Sequence, residues 1–207
     1  DHTRVPDDLL TPAGLAAFAR TQAAGTVRSA PAGGDTSTLV VVDSRGNAVS
    51  WVQSLFEAFG SGVASPSTGI VFHNRLSLAS LAPGGPNSLA PGRRPFHTLC
   101  PALVLNGESC EFALATPGDH GQPQTLAQIL IAVIDRGLDI QEAVEAPRIR
   151  HDSGTKVMYE DRLPEDAVRP LAAMAIALRR GSSRPLATAA AIPFARVRMV
   201  ACRPVTA

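Results

Sequence analysis

Little in this sequence invites a metal, a membrane or a nucleic acid. Its 207 residues include three cysteines, Cys100, Cys110 and Cys202, and no CxxC pair. An odd number at such spacing supports neither a disulfide framework nor a zinc site. Incidental thiols in a cytoplasmic protein are the expectation. The five histidines, His2, His73, His97, His120 and His151, also lack metal-ligand spacing. A net charge of +1 gives no electrostatic case for nucleic acid or for an anionic membrane surface. Apolar runs such as "LAQILIAVI" fall far short of a membrane span. The opening "DHTRVPDD" lacks the basic start and apolar core of a signal peptide. No repeat or heptad runs through the chain. After Asp166 acidic residues cease, and the remainder is rich in Ala, Arg and Pro.

What is present suits a soluble fold. The chain is 45% hydrophobic and long enough for one substantial domain or two small ones. Thr11 can cap a helix that Pro12 opens and "AGLAAFART" continues. "AAGTVRSAPAGGD" is a linker of small residues. From Thr36 the pattern turns to strands: "STLVVVD" and "NAVSWVQS" flank "DSRGN". Ser44-Arg45-Gly46 fits a three-residue hairpin loop with a left-handed glycine. If Asp43 pairs with Asn47, the ladder brings Thr36 opposite Ser54.

Further on, Gly/Pro-rich stretches enclose a short strand expected at Ile70–Phe72, and a second hairpin turns at Asn106-Gly107. Leu126, Ile129, Leu130, Val133 and Ile134 keep the spacing of one helix face, with Gly137 just past its end. Asp139 and Glu142 form a capping box for a short helix that Pro147 ends.

Three places could carry chemistry. A hydroxyl is a weak nucleophile without an adjacent base, but a threonine made N-terminal by backbone cleavage carries one in its own α-amine. That amine titrates close to neutrality. Thr36 follows an easily opened loop and begins a strand, as such a residue must; taken alone, threonines also begin many ordinary strands. Ser54, opposite, could hold that hydroxyl or simply be a polar strand end. Gly118, Asp119, His120 and Gly121 precede the long helix, where free N–H groups and the helix dipole suit an oxyanion or carboxylate. Every loop-to-helix junction offers some of this, and the P-loop and dinucleotide glycine patterns are absent. Arg93 and Arg94 read first as a solvated face.

Together, "GDTSTLVVVDSRGNAVS", "FGSGVASPSTGIVFHNR", "PNSLAPGRRPFHTLCPALVL" and "TPGDHGQPQTLAQILIAVIDRGLDIQEAVEAPRIRH" resemble, in that order, the small subunit of the γ-glutamyltranspeptidase family of N-terminal nucleophile (Ntn) hydrolases. The likeness runs over residues 33–151. "GGDT", "PGRRPFHTL" and "GQPQ" look closer to the branch of oxamate amidohydrolase and related acylases. The resemblance implies an α+β fold, the Ntn-hydrolase αββα four-layer sandwich, of which this chain is the small-subunit portion. It implies a precursor cut between Asp35 and Thr36, with Thr36 as nucleophile and, through its amine, base. Ser54 takes the place of a threonine hydrogen-bonded to the nucleophile. Gly118 and Asp119 occupy the place of paired glycines whose amides form the oxyanion hole.

His97 and Thr98 fall where transpeptidases have two substrate-contacting serines. Phe56 and Leu78 replace the asparagine and aspartate that hold a γ-glutamyl group, and neither can bind a zwitterion. Arg75 stands where transpeptidases have a polar residue, and it or an arginine of "GRRPFHT" could take a carboxylate. The family needs no cofactor or metal. The implied partners are a small amide or acyl substrate and the large subunit of the same precursor; a homo-oligomer is compatible with the family. On this reading residues 1–35 end the large-subunit region, 36–166 form the small-subunit catalytic region, and 167–207 are an atypical tail unlike the family's closing strands.

Overall fold

A computed structural model describes residues 11–13, 36–174, 176–180 and 198–201. Pro12 and Ala13 are helical after Thr11; the rest of the expected first helix, the linker and Asp35 lie outside the described residues. Strands β1 (Thr36–Val42) and β2 (Ala48–Ser54) form the first hairpin. Its turn follows the expected chemistry. Asp43 N–H donates to the Asn47 carbonyl at 3.0 Å, Gly46 N–H to the Asp43 carbonyl at 3.1 Å, and Gly46 has φ 82°. Asp43 Oδ1 also accepts from the N–H groups of Arg45 and Asn47, at 2.8 and 2.9 Å. A side chain that satisfies its own turn fixes the register without tertiary help.

Strands β3 (Ala102–Asn106) and β4 (Ser109–Ala115) make the second hairpin, turning through Gly107. Strand β8 (Arg198–Ala201) pairs antiparallel with β4. Helices α1 (Gln122–Ile134) and α2 (Ile140–Glu145) cover one face of this sheet. Leu114, Leu126, Ile129, Ala132 and Ala143 are the buried centre of that layer, with Ala102, Val104 and Phe112 packed against it. Side chains alternate across a strand, so Ala113 and Ala115 look the other way. Both are fully buried, and the β1–β2 hairpin lies against β4 there. The small side chains let the layers approach until Ser50 Oγ donates to the Leu114 carbonyl at 2.5 Å.

Strands β5 (Ile149–Ser153), β6 (Lys156–Tyr159) and β7 (Ala177–Arg180) form a third sheet, followed in sequence between β6 and β7 by helix α3 (Glu165–Ala173). The acid-free tail therefore supplies one strand to each three-stranded sheet, although its composition reads as foreign to them. The capping box is complete: Glu142 N–H donates to Asp139 Oδ1 at 2.8 Å, and Asp139 N–H to Glu142 Oε2 at 3.2 Å.

Two expectations need correction. Residues 70–72 form no strand. Ile70 and Phe72 exchange backbone hydrogen bonds with Ser61, Val63 and Ser65, but the pairing is confined to one bridge, Val71 to Ala64, and all three apolar side chains stay exposed. Ile134 does not join the buried face of α1: it is 58% exposed at the last helical residue, at the edge of the apolar stripe, and Ala132 takes the inner place.

Candidate active site

The hairpin places Thr36 and Ser54 as direct cross-strand partners. Both are half-buried, on the face of the hairpin that looks into the protein. Ser54 Oγ accepts from the Phe56 N–H at 2.9 Å, which turns the chain sharply after β2. Phe56 adopts φ 80°, unusual for an aromatic residue, and is buried.

That turn is tied to the next wall of the site. Asn74 Oδ1 accepts from Glu57 N–H at 3.1 Å, and its Nδ2 donates to Glu57 Oε2 at 2.7 Å. Arg75, the following residue, is thereby held with its guanidinium carbon 5.4 Å from the centre of the Phe56 ring. Arg75 is only 4% exposed. Its Nη1 donates to Thr98 Oγ1 at 3.3 Å. Burial pushes the guanidinium below its ordinary pKa, and attraction to Asp119 opposes this. Leu78 closes the 3-10 turn that Arg75 opens and is half-buried.

Gly118 and Asp119 stand at the entrance to α1. Gly118 has φ 134°, accessible to glycine alone, and Asp119 has φ 53°, a left-handed conformation that aspartate tolerates. Residues Asp119–Gly121 make one 3-10 turn that runs directly into the helix. The segment carrying His97 and Thr98 is fastened to this turn twice. The Phe96 ring stacks on His120 with centroids 5.7 Å apart, and Cys100 N–H donates to Oε1 of the fully buried Gln122 at 2.8 Å. His97 itself is exposed, while Thr98 is half-buried.

The structure thus links Thr36, Ser54, Phe56, Arg75, Thr98 and Asp119 through pairing, hydrogen bonds, ring contact and charge. His97 lies at the rim of this group. The two arginines of "GRRPFHT" divide: Arg93 is half-buried and pins a loop, donating to the carbonyls of Gly85 and Ser88 and to Ser88 Oγ at 3.0–3.3 Å. A solvated-face reading does not hold for it, and its guanidinium is engaged by the 85–88 loop. Gln122 and Phe96 are contributors that sequence reasoning passed over. A glutamine at the first turn of an apolar helix was the one available signal. Among the described residues no group of three or more His, Cys, Asp or Glu could hold a metal ion, and no helix is long and apolar enough to cross a membrane.

Comparison with known proteins gives this geometry a context. The chain is 44% identical to the glutathione hydrolase-like YwrD proenzyme of Bacillus subtilis over 120 residues, 58% of this chain and 23% of that protein. It is 44% identical to the oxamate amidohydrolase proenzyme of Klebsiella pneumoniae over 115 residues, 56% of this chain and 22% of that one. The chain spans less than a quarter of the length of either relative. Among solved structures, a cephalosporin acylase from Bacillus halodurans superposes with a TM-score of 0.78 at 30% identity, over 99% of this chain and 37% of that one. The layered architecture is accordingly that of an Ntn hydrolase, in part. The family model for γ-glutamyltranspeptidase matches residues 7–202, nearly the whole sequence, and the chain belongs to that family.

Proposed function

We propose that this chain is the catalytic portion of a self-cleaving amidohydrolase or acyltransferase in which Thr36, freed at the Asp35–Thr36 bond, is the nucleophile. The observation that carries this reading is the register of the first hairpin, which sets Ser54 directly across from Thr36. Thr36 Oγ1 adds to the carbonyl carbon of an amide while its proton passes to the new α-amine. The N–H groups of Gly118 and Asp119 receive the oxyanion, where fixed donors are worth most. Collapse breaks the C–N bond, and the amine returns the proton to the leaving nitrogen. Water then splits the threonyl ester, releasing the acid and restoring Thr36; an amine in place of water gives transfer. No cofactor takes part in these steps.

The substrate wall favours an acyl group bearing a carboxylate. Phe56 and Leu78 are apolar where a γ-glutamyl head would need polar partners, whereas Arg75 is a buried cation stacked on Phe56 beside Thr98. A relative named for oxamate, whose amide adjoins a carboxylate, fits that chemistry. His97 and Thr98 complete the substrate contacts. The large-subunit part of the same precursor is the expected partner, and the cytoplasm the expected compartment. The test is a pair of assays, oxamate against a γ-glutamyl anilide, with mass spectrometry of the Thr36 peptide after rapid quenching. Oxamate turnover and an acyl group on Thr36 are expected; rapid anilide turnover with no oxamate hydrolysis would overturn the substrate assignment.

A further inference from the structure

Arg150 has no part in the chemistry above, yet its position is fixed from several sides. Gln124 and Gln128, one turn apart on α1, run beside β5, and each carboxamide behaves as a piece of neighbouring strand. Gln124 Nε2 donates to the His151 carbonyl at 3.1 Å, and its Oε1 accepts from the His151 N–H at 2.7 Å. Gln128 repeats the pattern on Ile149, at 2.8 and 2.9 Å. On its other edge β5 pairs with β6, Arg150 opposite Met158. A residue held between two such clamps has little freedom in where its side chain starts.

That side chain ends on the turn before α1. A Cβ on Gly121 would stand 3.1 Å from Arg150 Cδ and Nε and 3.2 Å from Cζ, so the guanidinium lies in the space that only a glycine leaves. Gly121 closes the turn that Asp119 opens. Asp119 Oδ1 and Arg150 Nε are both buried, and neither has a hydrogen-bond partner among the described residues. The carboxylate lies within electrostatic reach of both Arg75 and Arg150, and Asp152 also faces Arg150; their attraction opposes the fall in the arginines' pKa that burial causes. Removing either member of such a buried opposite-charge pair leaves the other charge uncompensated.

We propose that Arg150 is a positioning residue for the oxyanion site: laid on Gly121, its guanidinium holds the Asp119 carboxylate and so fixes the direction of the Gly118 and Asp119 N–H groups. A turn built from two glycines has no side chain to hold; this one carries a carboxylate within electrostatic reach of Arg150. The inference rests on the reading of Thr36 as nucleophile and of these amides as its oxyanion donors.

The test uses the complete gene product that carries this sequence, with Arg150→Met, Arg150→Lys, Asp119→Gly and the Arg150→Met/Asp119→Gly double variant. Steady-state kinetics on oxamate and hydrogen exchange at residues 118–121 are measured together. Arg150→Met is expected to lower kcat about tenfold with little change in KM, and to speed exchange in the turn, whereas Arg150→Lys restores most of both. In the Asp119→Gly background the same substitution is expected to change kcat and exchange by less than about threefold, because the carboxylate it held is gone. Equal effects in both backgrounds, on kcat and on exchange, would overturn the proposal and leave Arg150 a packing residue. If Arg150→Met fails to fold, the comparison passes to Arg150→Lys and to Gly121→Ala, whose methyl displaces the guanidinium while keeping its charge. Gly121→Ala is then expected to loosen the turn in the Asp119 background only; no change there would sink the idea. Full oxamate activity in a Thr36→Ala variant would defeat the nucleophile reading, while the exchange data would still decide the role of Arg150.

Discussion

Thr36 and Ser54 face one another across the first hairpin, seven residues from the turn on one strand and seven on the other. The relationship is set locally, by Asp43, Gly46 and Asn47, and used remotely, at the far end of the ladder. Ser54 Oγ accepts the Phe56 N–H at 2.9 Å, which fixes the oxygen at the end of the ladder opposite the threonine. Ser54→Ala is expected to lower kcat about tenfold, the worth of one hydrogen bond to a reacting group, with a much smaller change in melting temperature. Steady-state kinetics beside thermal unfolding checks it.

Arg75 should decide which acyl groups are accepted. Arg75→Met removes the charge but keeps most of the contact with Phe56. For an anionic amide such as oxamate, kcat/KM is expected to fall by about 1.5–3 kcal/mol in activation free energy, while a neutral amide loses little. Parallel losses on both substrates would mean that Arg75 only shapes the Phe56 turn.

Arg148 and Glu160 form a buried pair at 3.6 Å, with both side chains under a tenth exposed. Arg148 Nη1 also donates to the Val144 carbonyl at 2.6 Å, and Arg162 Nη2 donates to Glu160 Oε2 at 2.6 Å. Burial pulls the Arg148 guanidinium below its ordinary pKa, Glu160 raises it, and Arg162 lowers it further. Removing one partner leaves a buried charge uncompensated. Glu160→Leu is expected to destabilise the fold by about 3–5 kcal/mol in chemical denaturation, and Arg148→Met/Glu160→Leu together by clearly less.

The hairpin turn titrates. The Asn47 side chain, bonded to Asp43 Oδ2 at 2.7 Å, holds the Asp43 carboxyl below its ordinary pKa; the N–H groups of Asn47 and Arg45 and the Arg45 guanidinium add to this, and burial opposes it. A pKa depressed by folding contributes stability that is present above the ordinary aspartate range and lost as the pH falls through the depressed value. Carbon-detected titration of Asp43 should therefore show a midpoint below that of a free aspartate. Asp43→Asn should weaken the hairpin at neutral pH and make its stability less sensitive to acid.

What could be read from sequence was what short-range chemistry decides. The Asp43-to-Gly46 turn, the Asp139/Glu142 box and the apolar stripe from Leu126 to Val133 each rest on residues within a few positions of one another. The strand expected at Ile70–Phe72 shrinks to one bridge, Val71 to Ala64, because turns close in on both sides of it. Gln122, Phe96 and Arg150 stayed unread for the same reason: each acts on a residue its own segment does not contain. Gln122 meets Cys100, Phe96 meets His120, and Arg150 lies against Gly121.

Self-cleavage before Thr36 is the point on which the rest depends, and intact-mass measurement of the purified protein beside a Thr36→Ala variant tests it most directly. The expected result is a fragment beginning at Thr36 in the unaltered protein and an uncut chain in the variant. A protein that stays uncut, or one that is cut alike in both, would contradict the assignment of Thr36 as an autocatalytic nucleophile.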